Sequence, residues 1–389
     1  MTLTYILMQN LRRNPLRSGL TVMAFALPMA VFVAALSFVV VLVDMAKDSE
    51  KQLRLGVHHK TSLVNDVPEG MRRKIEAIDP TRERLLAVCG MRWFGGRVPE
   101  TQNTLTSLAA DADTFPTVYS ELGLTAEDIE LWGRHRQAAI VGSAPAQDYD
   151  WKVGDRITLE STVPPYLSLE FRIVRIVTNA IRANFFYFRR DYLDESLKSA
   201  GEESGRCNIF WAKCASADAL RSLQKDIDAL FANSPDETKS EDENAFVANF
   251  TQASGNIPGL MRAMAMVVVF IVALVAGNTM MMSFRERTRE LAVFKAIGFQ
   301  ARRVFAIVLA ESVMLALIGS LVGILPTAAY LYWAPIRLMR MGPISSLKVS
   351  PHAVVGSLVI ALAVGAVAGL WPAYQAMRLR TVDALRRVA

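Results

Sequence analysis

Four long apolar runs dominate the hydrophobic pattern of the chain. Residues 18–43, 263–284 and 353–377 contain no charged side chain, and residues 304–336 contain a single one, Glu311. Each run reaches the roughly 20 residues that a helix needs to cross about 30 Å of hydrocarbon. The pattern therefore predicts an integral membrane protein with four transmembrane helices, which excludes a cytosolic enzyme.

The apolar runs and the segments between them predict the order of domains. The first run is too long for a cleaved signal peptide, so we expect an uncleaved anchor. The predicted order is an interfacial helix (1–17), transmembrane helix 1 (18–45), a large external domain (46–257), transmembrane helix 2 (258–284), a cytoplasmic loop with a helix (285–303), transmembrane helix 3 (304–336), a short external loop (337–352), transmembrane helix 4 (353–377) and a cytoplasmic tail (378–389).

The external segment mixes both kinds of periodicity. Apolar residues recur at three and four positions in 68–78 and 215–231, which predicts helices, and Thr125 is placed to cap a third. Alternating or continuous apolar runs predict strands at 84–89, 137–141, 155–159 and 167–177. The polar stretch 234–244 is typical of a loop. We therefore expect a large α+β domain inserted between transmembrane helices 1 and 2.

The charge distribution indicates the orientation in the membrane. The chain carries a net charge of +6, but residues 46–257 hold 26 Lys and Arg against 32 Asp and Glu. The other residues hold 17 basic and 5 acidic side chains, most of them beside the apolar runs. Short cytoplasmic loops are enriched in Lys and Arg, so both termini and residues 285–303 are predicted inside and the acidic domain outside. This distribution does not support binding of nucleic acid.

Few residues suggest chemistry of their own. The sequence leaves open whether Cys207 and Cys214 form a disulfide. The four histidines and three cysteines are not spaced like the ligands of a metal site. Glu311 is either a functional intramembrane carboxylate or the partner of an arginine near a helix end, and we favour the second. The sequence leaves open whether a set of aromatic residues in the external segment forms part of the core, a lipid-facing lip or a surface for a partner. They are Trp93, Phe94, Phe185, Phe186, Tyr187 and Phe188.

Three stretches carry a resemblance to a known family. The sequences RQAAIVGSA at 136–144 and WKVGDRITL at 151–159 resemble the MacB-like periplasmic core domain. The sequence RERTRELAVFKAIGF at 285–299 resembles the coupling stretch of FtsX/MacB-type ABC transporter permeases. The terminal stretch 372–386 is similar to the family's C-terminus, although Thr381 replaces its usual proline. The resemblance covers the whole chain.

The resemblance implies that the loop at 285–303 couples the permease to an ATPase. Helical spacing puts Leu291, Phe294 and Ile297 roughly on one face, and Gly298 is placed to end the helix. An ordinary interfacial helix is the alternative. We expect Asp at both Leu291 and Phe294 to uncouple ATP hydrolysis. The residues to which the resemblance assigns coupling are Arg287, Glu290, Leu291, Phe294, Lys295 and Gly298.

Small residues in the last two runs predict close helix packing. Gly319 and Gly323 form one small-xxx-small pair, and Gly365 and Gly369 form another. The pattern leaves open whether the neighbouring helix belongs to the same chain or to a second copy.

The resemblance implies a permease subunit that exports or extracts a substrate from the periplasmic side. The sequence contains no phosphate-binding loop of the G-x-x-x-x-G-K-[ST] type, so ATP and Mg²⁺ are expected on a separate ATPase subunit. A second permease copy, identical or paralogous, is expected, and an adaptor and outer-membrane duct remain open. The alternatives are an FtsX-like module that activates a cell-wall hydrolase and, least favoured, a membrane-anchored enzyme. The cargo is open, and the inner membrane is the expected location.

Overall fold

A computed structural model describes residues 15–99, 101, 103–179, 182–253, 257–333 and 349–379. The chain divides into two compact units, which we call the helix bundle and the head. The helix bundle comprises Met1–Val41, Asn256–Ile336 and Leu347–Ala389, and the head comprises Leu42–Gly255 and Arg337–Ser346.

Helices occur in both units. Within the described residues they are α1 (Pro15–Gln52), α2 (Gly70–Glu76), α3 (Phe115–Val118), α4 (Ala126–Arg134), α5 (Ser143–Asp148), α6 (Arg190–Ser199), α7 (Ala217–Phe231), α8 (Glu243–Ala253), α9 (Ile257–Glu286), α10 (Thr288–Ala296), α11 (Ala301–Trp333) and α12 (Pro351–Arg378).

Strands occur in the head. Within the described residues they are β1 (Arg54–His59), β2 (Val67–Pro68), β3 (Leu85–Trp93), β4 (Gly96–Arg97), β5 (Thr106–Ala110), β6 (Ala138–Gly142), β7 (Arg156–Ser161), β8 (Ser168–Val177), β9 (Phe185–Arg189), β10 (Arg206–Cys207), β11 (Ile209–Cys214) and β12 (Thr238–Asp242).

Helices α1, α9, α11 and α12 form the helix bundle, and each is long and apolar enough to cross a membrane. Apolar side chains from all four meet in one buried cluster that includes Phe25, Val272, Ala316 and Ala361. The chain is thus a four-helix membrane protein with a large mixed α and β domain between the first and second helices, as the sequence predicts. The predicted interfacial helix and the predicted tail lie mostly outside the described residues, as does the loop at 337–352.

The head is built on one ten-stranded sheet with the order β12-β1-β11-β3-β5-β9-β6-β8-β7-β4. The pairs β5–β9 and β6–β8 are parallel, and the other neighbouring pairs are antiparallel. A separate two-stranded sheet joins β10 to β2. The sheet brings β1, from the start of the head, between β11 and β12, from its end.

Helices cover the sheet over three buried apolar clusters. Helices α2 and α7 pack on β1, β3 and β11 around Phe210 and Leu223. Helices α3 and α4 cover the middle strands around Trp132 and Tyr187. Helices α5 and α6 cover β6, β8 and β9 around Phe171. Because each helix buries one apolar stripe, the head holds its own core.

Several local predictions for the head are confirmed. Thr125 caps α4: its side chain accepts a hydrogen bond from the Asp128 amide, and the Asp128 carboxylate accepts one from the Thr125 amide. The predicted strands at 84–89, 137–141, 155–159 and 167–177 appear as β3, β6, β7 and β8. The aromatic run from Phe185 to Phe188 forms buried strand β9, so those four residues are core.

The predicted loop at 234–244 is correct for residues 234–237 and wrong for residues 238–244. Residues Thr238–Asp242 form β12, the edge strand beside β1, and α8 begins at Glu243. The strand lacks the expected pattern because its side chains are polar and charged. Edge strands tolerate such residues, which hinder pairing with another sheet.

Candidate functional site

A short helix joins two of the bundle helices. Helix α9 ends at Glu286, and the backbone of Arg287 leaves the helical region with φ −97° and ψ 8°. Helix α10 follows, and α11 starts at Ala301. We call residues 287–300 the elbow.

Gly298 ends α10, as the sequence predicts. Its φ of +101° is a conformation that glycine adopts without a steric penalty. The amide of Gly298 donates to the Lys295 carbonyl at 3.1 Å, and the amide of Phe299 donates to the Phe294 carbonyl at 3.0 Å. The rings of Phe294 and Phe299 lie 5.4 Å apart. These bonds and this contact make a Schellman motif, which fixes the direction in which the chain leaves the helix.

The inner face of the elbow packs against the bundle. Leu291 is buried in a cluster with Phe284 of α9, Val304 of α11 and Ala376 of α12. Phe294 packs against the same cluster and is half-buried. The apolar residues that the sequence assigns to a partner surface therefore hold α10 to three neighbouring helices.

An ion pair ties the start of the elbow to α11. Arg287 donates from Nη1 to both carboxylate oxygens of Glu311, at 2.7 and 2.9 Å. Both side chains are largely shielded from solvent. The pairing of Glu311 with an arginine near a helix end is thus confirmed. A partly buried pair of this kind keeps the carboxylate from being an isolated charge in the bundle.

A lysine ties the end of α10 to α12. The Nζ of Lys295 donates to the carbonyl oxygens of Met377 and Leu379, at 2.6 and 2.8 Å. The last carbonyls of a helix have no partner within the helix, and a cation there also complements the helix dipole. Partial burial lowers the pKa of Lys295 below its ordinary value. The elbow is therefore attached to the C-terminal end of α12.

The outer face of the elbow is exposed and partly apolar. Ile297 is 73% exposed and Val293, one turn earlier, is 44% exposed. Phe299 is also exposed, as are Glu290 and Gly298. The elbow thus has two faces: an inner one bound to the bundle and an outer one that is open in this chain.

The six residues assigned to coupling therefore divide between the two faces. Leu291 is buried, Phe294 is half-buried, and Arg287 and Lys295 bind neighbouring helices. Only Glu290 and Gly298 lie on the outer face. Sequence reasoning missed the outer apolar residues, Val293 and Phe299, and grouped Ile297 with the buried ones. The i, i+4 spacing of Val293 and Ile297 is the signal that identifies a second apolar stripe.

The four packing glycines lie between helices of the same chain. Gly319 and Gly323 of α11 approach α1, and Gly365 and Gly369 of α12 approach α11. A β-carbon on Gly319 would come within 2.6 Å of the Phe25 β-carbon, and one on Gly365 within 2.4 Å of the Ala316 β-carbon. Glycine is therefore needed at these positions for the helices to pack at this distance.

The head carries a charged cleft of about 570 Å³. Arg190 on its wall binds the carboxylates of Asp111, Asp194 and Glu69. The hydrogen bond from Arg190 lowers the pKa of Glu69, although burial acts in the opposite direction. The lining holds six acidic and three basic side chains, so the cleft is net acidic. Because Arg72 and Arg190 bind several of these carboxylates within the chain, we treat the cleft as a structural ion network.

The described part of the head contains no group of three or more His, Cys, Asp and Glu residues placed to hold a metal ion. Cys89, Cys207 and Cys214 are buried free thiols. Burial raises the pKa of both Cys207 and Cys214 to about 12. Their thiolates are therefore scarce at neutral pH, and the thiols pack as small apolar groups.

Comparison with known proteins finds a family match for the elbow and for the bundle helices that follow the head. Residues 262–381 match the FtsX-like permease C-terminal family model. The chain is 38% identical to the uncharacterized ABC transporter permease YvrN of Bacillus subtilis over 28% of this chain and 25% of that one. It is 36% identical to the macrolide export ATP-binding/permease protein MacB of Sodalis glossinidius over 32% of this chain and 19% of that one.

A third relative matches over a longer span. The uncharacterized ABC transporter permease MJ1507 of Methanocaldococcus jannaschii is 24% identical over 76% of this chain and 74% of that one. The matches to YvrN and MacB span about a quarter or less of those relatives' own lengths. Residues 262–381 therefore resemble the FtsX-like permease C-terminal domain, and the chain is similar to ABC transporter permeases.

Proposed function

We propose that the chain is the membrane subunit of an ABC exporter that borrows ATP hydrolysis from a separate nucleotide-binding subunit. ATP and Mg²⁺ bind to that subunit, and its movement is passed through the bundle to the head. The head then drives export or extraction of a substrate from the periplasmic side. The MacB relative, which is a macrolide export protein, supports the direction of transport.

The observation that carries this proposal is the two-faced elbow. Its inner face is bound to α9, α11 and α12 through Leu291, Arg287 and Lys295. Its outer face offers Val293 and Ile297 to a partner. A short rigid helix that displays apolar residues fits a groove on a soluble partner. Because the elbow is attached to three helices, a force on its outer face acts on all of them.

The coupling rests on a difference in affinity between two states. ATP must favour one arrangement of the nucleotide-binding subunits, and the bundle must differ in affinity for the two arrangements. The Lys and Arg residues at 285–303 support a cytoplasmic elbow, on the side where ATP is available.

We also propose that two permease copies act together, as an identical or a paralogous pair, since nucleotide-binding subunits of this class work in pairs. Helix α9 supports this arrangement. Only 17% of its apolar window is buried, against 39% for each of the other three helices. Phe270 and Leu274 are among its exposed residues, so α9 is the least covered of the four helices and is open to lipid or to a second copy.

The test of the proposed function is a change on the outer face. Val293→Asp and Ile297→Asp are expected to abolish co-purification with the nucleotide-binding subunit and ATP hydrolysis by the complex. Each places a charge in the proposed contact and leaves the inner face intact. The matched control is Val153→Asp in the head, because Val153 is 58% exposed and the chemical change is the same.

Two outcomes decide the matter. Loss of association in the elbow variants together with normal association of the control supports docking on the outer face. Normal association and hydrolysis in both elbow variants would refute it. Folding is checked by the thermal unfolding of each variant in detergent.

A further inference from the structure

Two of the segments that connect the head to the helix bundle along the chain start from neighbouring strands. Helix α1 leads into β1 through Leu53, which has a left-handed φ of +48°. Strand β12 leads into α8, and residues 254–256 separate α8 from α9. Strands β1 and β12 are antiparallel, with Leu55 opposite Asp242. The first residue of β1 and the first residue of α8 therefore meet at the same end of the sheet.

A buried ion pair joins these two residues. Arg54 donates from Nε to Glu243 Oε2 at 2.7 Å and from Nη2 to Glu243 Oε1 at 3.1 Å. The two side chains are 1% and 3% exposed. Two parallel hydrogen bonds between charged groups are stronger and more directional than a single neutral one. They hold the start of α8 to the start of β1.

The surrounding groups complete the charge balance of the pair. Arg54 also donates from Nη1 to Glu121 Oε1 at 2.6 Å and to the Val118 carbonyl at 3.0 Å. Arg182 binds Glu243 as well and lies 5.1 Å from the centre of the Tyr119 ring. Burial acts to raise the pKa of Glu243, but Arg182 and Arg54 outweigh it and keep the pKa below its ordinary value. Two arginines and two glutamates thus form a neutral buried group.

Helix α8 is held at two further points along the same face. The ring of Phe246 packs edge-on against His58 of β1 and Trp211 of β11, at 5.8 and 5.2 Å between centroids. Asn249 donates to the Glu241 carboxylate at 2.8 Å. The first two turns of α8 are therefore fixed to the sheet.

We propose that the Arg54–Glu243 pair is a clamp that makes these two connections between head and bundle move as one body. This inference rests on the proposed function, because the movement to be passed on comes from ATP hydrolysis. Without the clamp, the start of α8 is held to the sheet less firmly, by Phe246 and Asn249, and part of a displacement of α9 is absorbed there. With it, the same displacement reaches the whole sheet. Arg54 and Glu243 are positioning residues in this scheme.

The first experiment compares two buried carboxylates. Glu243→Gln removes one negative charge from the clamp, and Asp111→Asn removes one from the equally buried pair with Arg190, whose side chains are 6% and 3% exposed. Both changes weaken a buried ion pair in the head. We expect amide hydrogen exchange in residues 243–253 to become at least tenfold faster in Glu243→Gln and to stay unchanged in Asp111→Asn.

The second experiment tests transmission in the complex with the nucleotide-binding subunit. ATP with vanadate is the probe, and hydrogen exchange in β1, β11 and β12 is the readout. We expect the wild type and Asp111→Asn to respond to the probe in these strands. In Glu243→Gln the response is expected to be confined to the bundle, although ATP hydrolysis continues. A merely structural role for the pair does not predict this separation.

A double variant keeps the test open if the single changes prevent folding. Arg54→Met with Glu243→Leu removes both charges, and Arg182 and Glu121 remain to neutralise each other at 3.8 Å. Replacement of a buried pair by apolar residues is often tolerated. In a folded double variant, unchanged exchange in α8 would overturn the clamp, and so would an undiminished vanadate response in the strands. If the wild-type complex fails to form or to respond to vanadate, the proposed function fails, while the exchange in α8 still decides whether the pair clamps the helix.

Discussion

Gly323 of α11 lies so close to Ala26 of α1 that a β-carbon on the glycine would sit 2.1 Å from the Ala26 carbonyl oxygen. No side-chain rotation relieves such a clash, since both groups belong to helix backbones. The distance between α1 and α11 is therefore set by the absence of a side chain at this position.

Gly323→Ala is expected to destabilise the bundle by about 1–3 kcal/mol, as in other overpacked interiors. Gly277→Ala in α9 is the matched control, because a β-carbon there meets no atom within 4 Å. Alanine favours helix over glycine by about 0.5–1 kcal/mol, so the control is expected to be neutral or stabilising. Thermal unfolding in detergent compares the two, and equal stabilities would contradict the packing described here.

The Arg287–Glu311 pair gives a second prediction. Glu311→Gln is expected to destabilise the elbow and α11 by about 1–3 kcal/mol, because it weakens a charged and largely shielded interaction. Glu83→Gln makes the same chemical change at an exposed side chain of the head and is expected to leave the unfolding temperature within about one degree, as surface changes usually do. A stable Glu311→Gln protein would show that the pair does not hold the elbow.

Lys295 is expected to protect the end of α12. Lys295→Met removes the donor to the carbonyls of Met377 and Leu379 and is expected to cost about 0.5–1 kcal/mol, the usual value of a charge at a helix end. Hydrogen exchange is then faster in the last turn of α12 and unchanged in its middle. Lys295→Arg keeps a cation in reach and serves as the control. Exchange that is equal in all three proteins would argue against the cap.

The stability of the head is expected to depend on pH through Asp79. Its carboxylate accepts hydrogen bonds from the amides of Leu85 and Arg84, which lower its pKa below the ordinary value. A lowered folded pKa gives stability that is fully present above the unfolded pKa, about 3.9, and is lost as the pH falls through the folded value.

Urea unfolding of the wild type and of Asp79→Asn measures this effect. Four of the six tryptophans lie in the head, so tryptophan fluorescence reports mainly on its unfolding; they are Trp93, Trp132, Trp151 and Trp211. We expect the wild type to be more stable at pH 6 to 7 and the difference to shrink below about pH 4. A difference that grows towards acid would show that the sign is wrong.

The sequence predicts the bundle well because each bundle helix is an apolar run that is long enough to cross a membrane and is bounded by charged residues. The cap at Thr125 is also readable, since Thr125 and Asp128 form a local motif. The edge strand β12 is not readable, because its backbone pairs with β1 while its side chains remain polar. Its partner lies more than 170 residues earlier in the chain, beyond any local pattern.

The elbow shows a different limit of sequence reasoning. Leu291 and Ile297 are both apolar residues of one short amphipathic segment, and periodicity alone does not say which side faces the bundle. The structure turns Leu291 inward, so Leu291→Asp tests the stability of the bundle and does not isolate docking. The choice between the two faces depends on Val304 and Ala376, which reach the elbow from other helices.

The position of β1 has a consequence for biosynthesis. Arg54 cannot form its ion pair until Glu243, 189 residues later in the chain, has been synthesised. The strands on either side of β1, which are β11 and β12, also come late in the head. Until β11 and β12 have been synthesised, β1 exposes two unpaired edges beside a helix already committed to the membrane. Completion of the head is therefore a late event in the maturation of the protein. A chaperone or a protease that surveys the nascent chain has its longest opportunity at this strand.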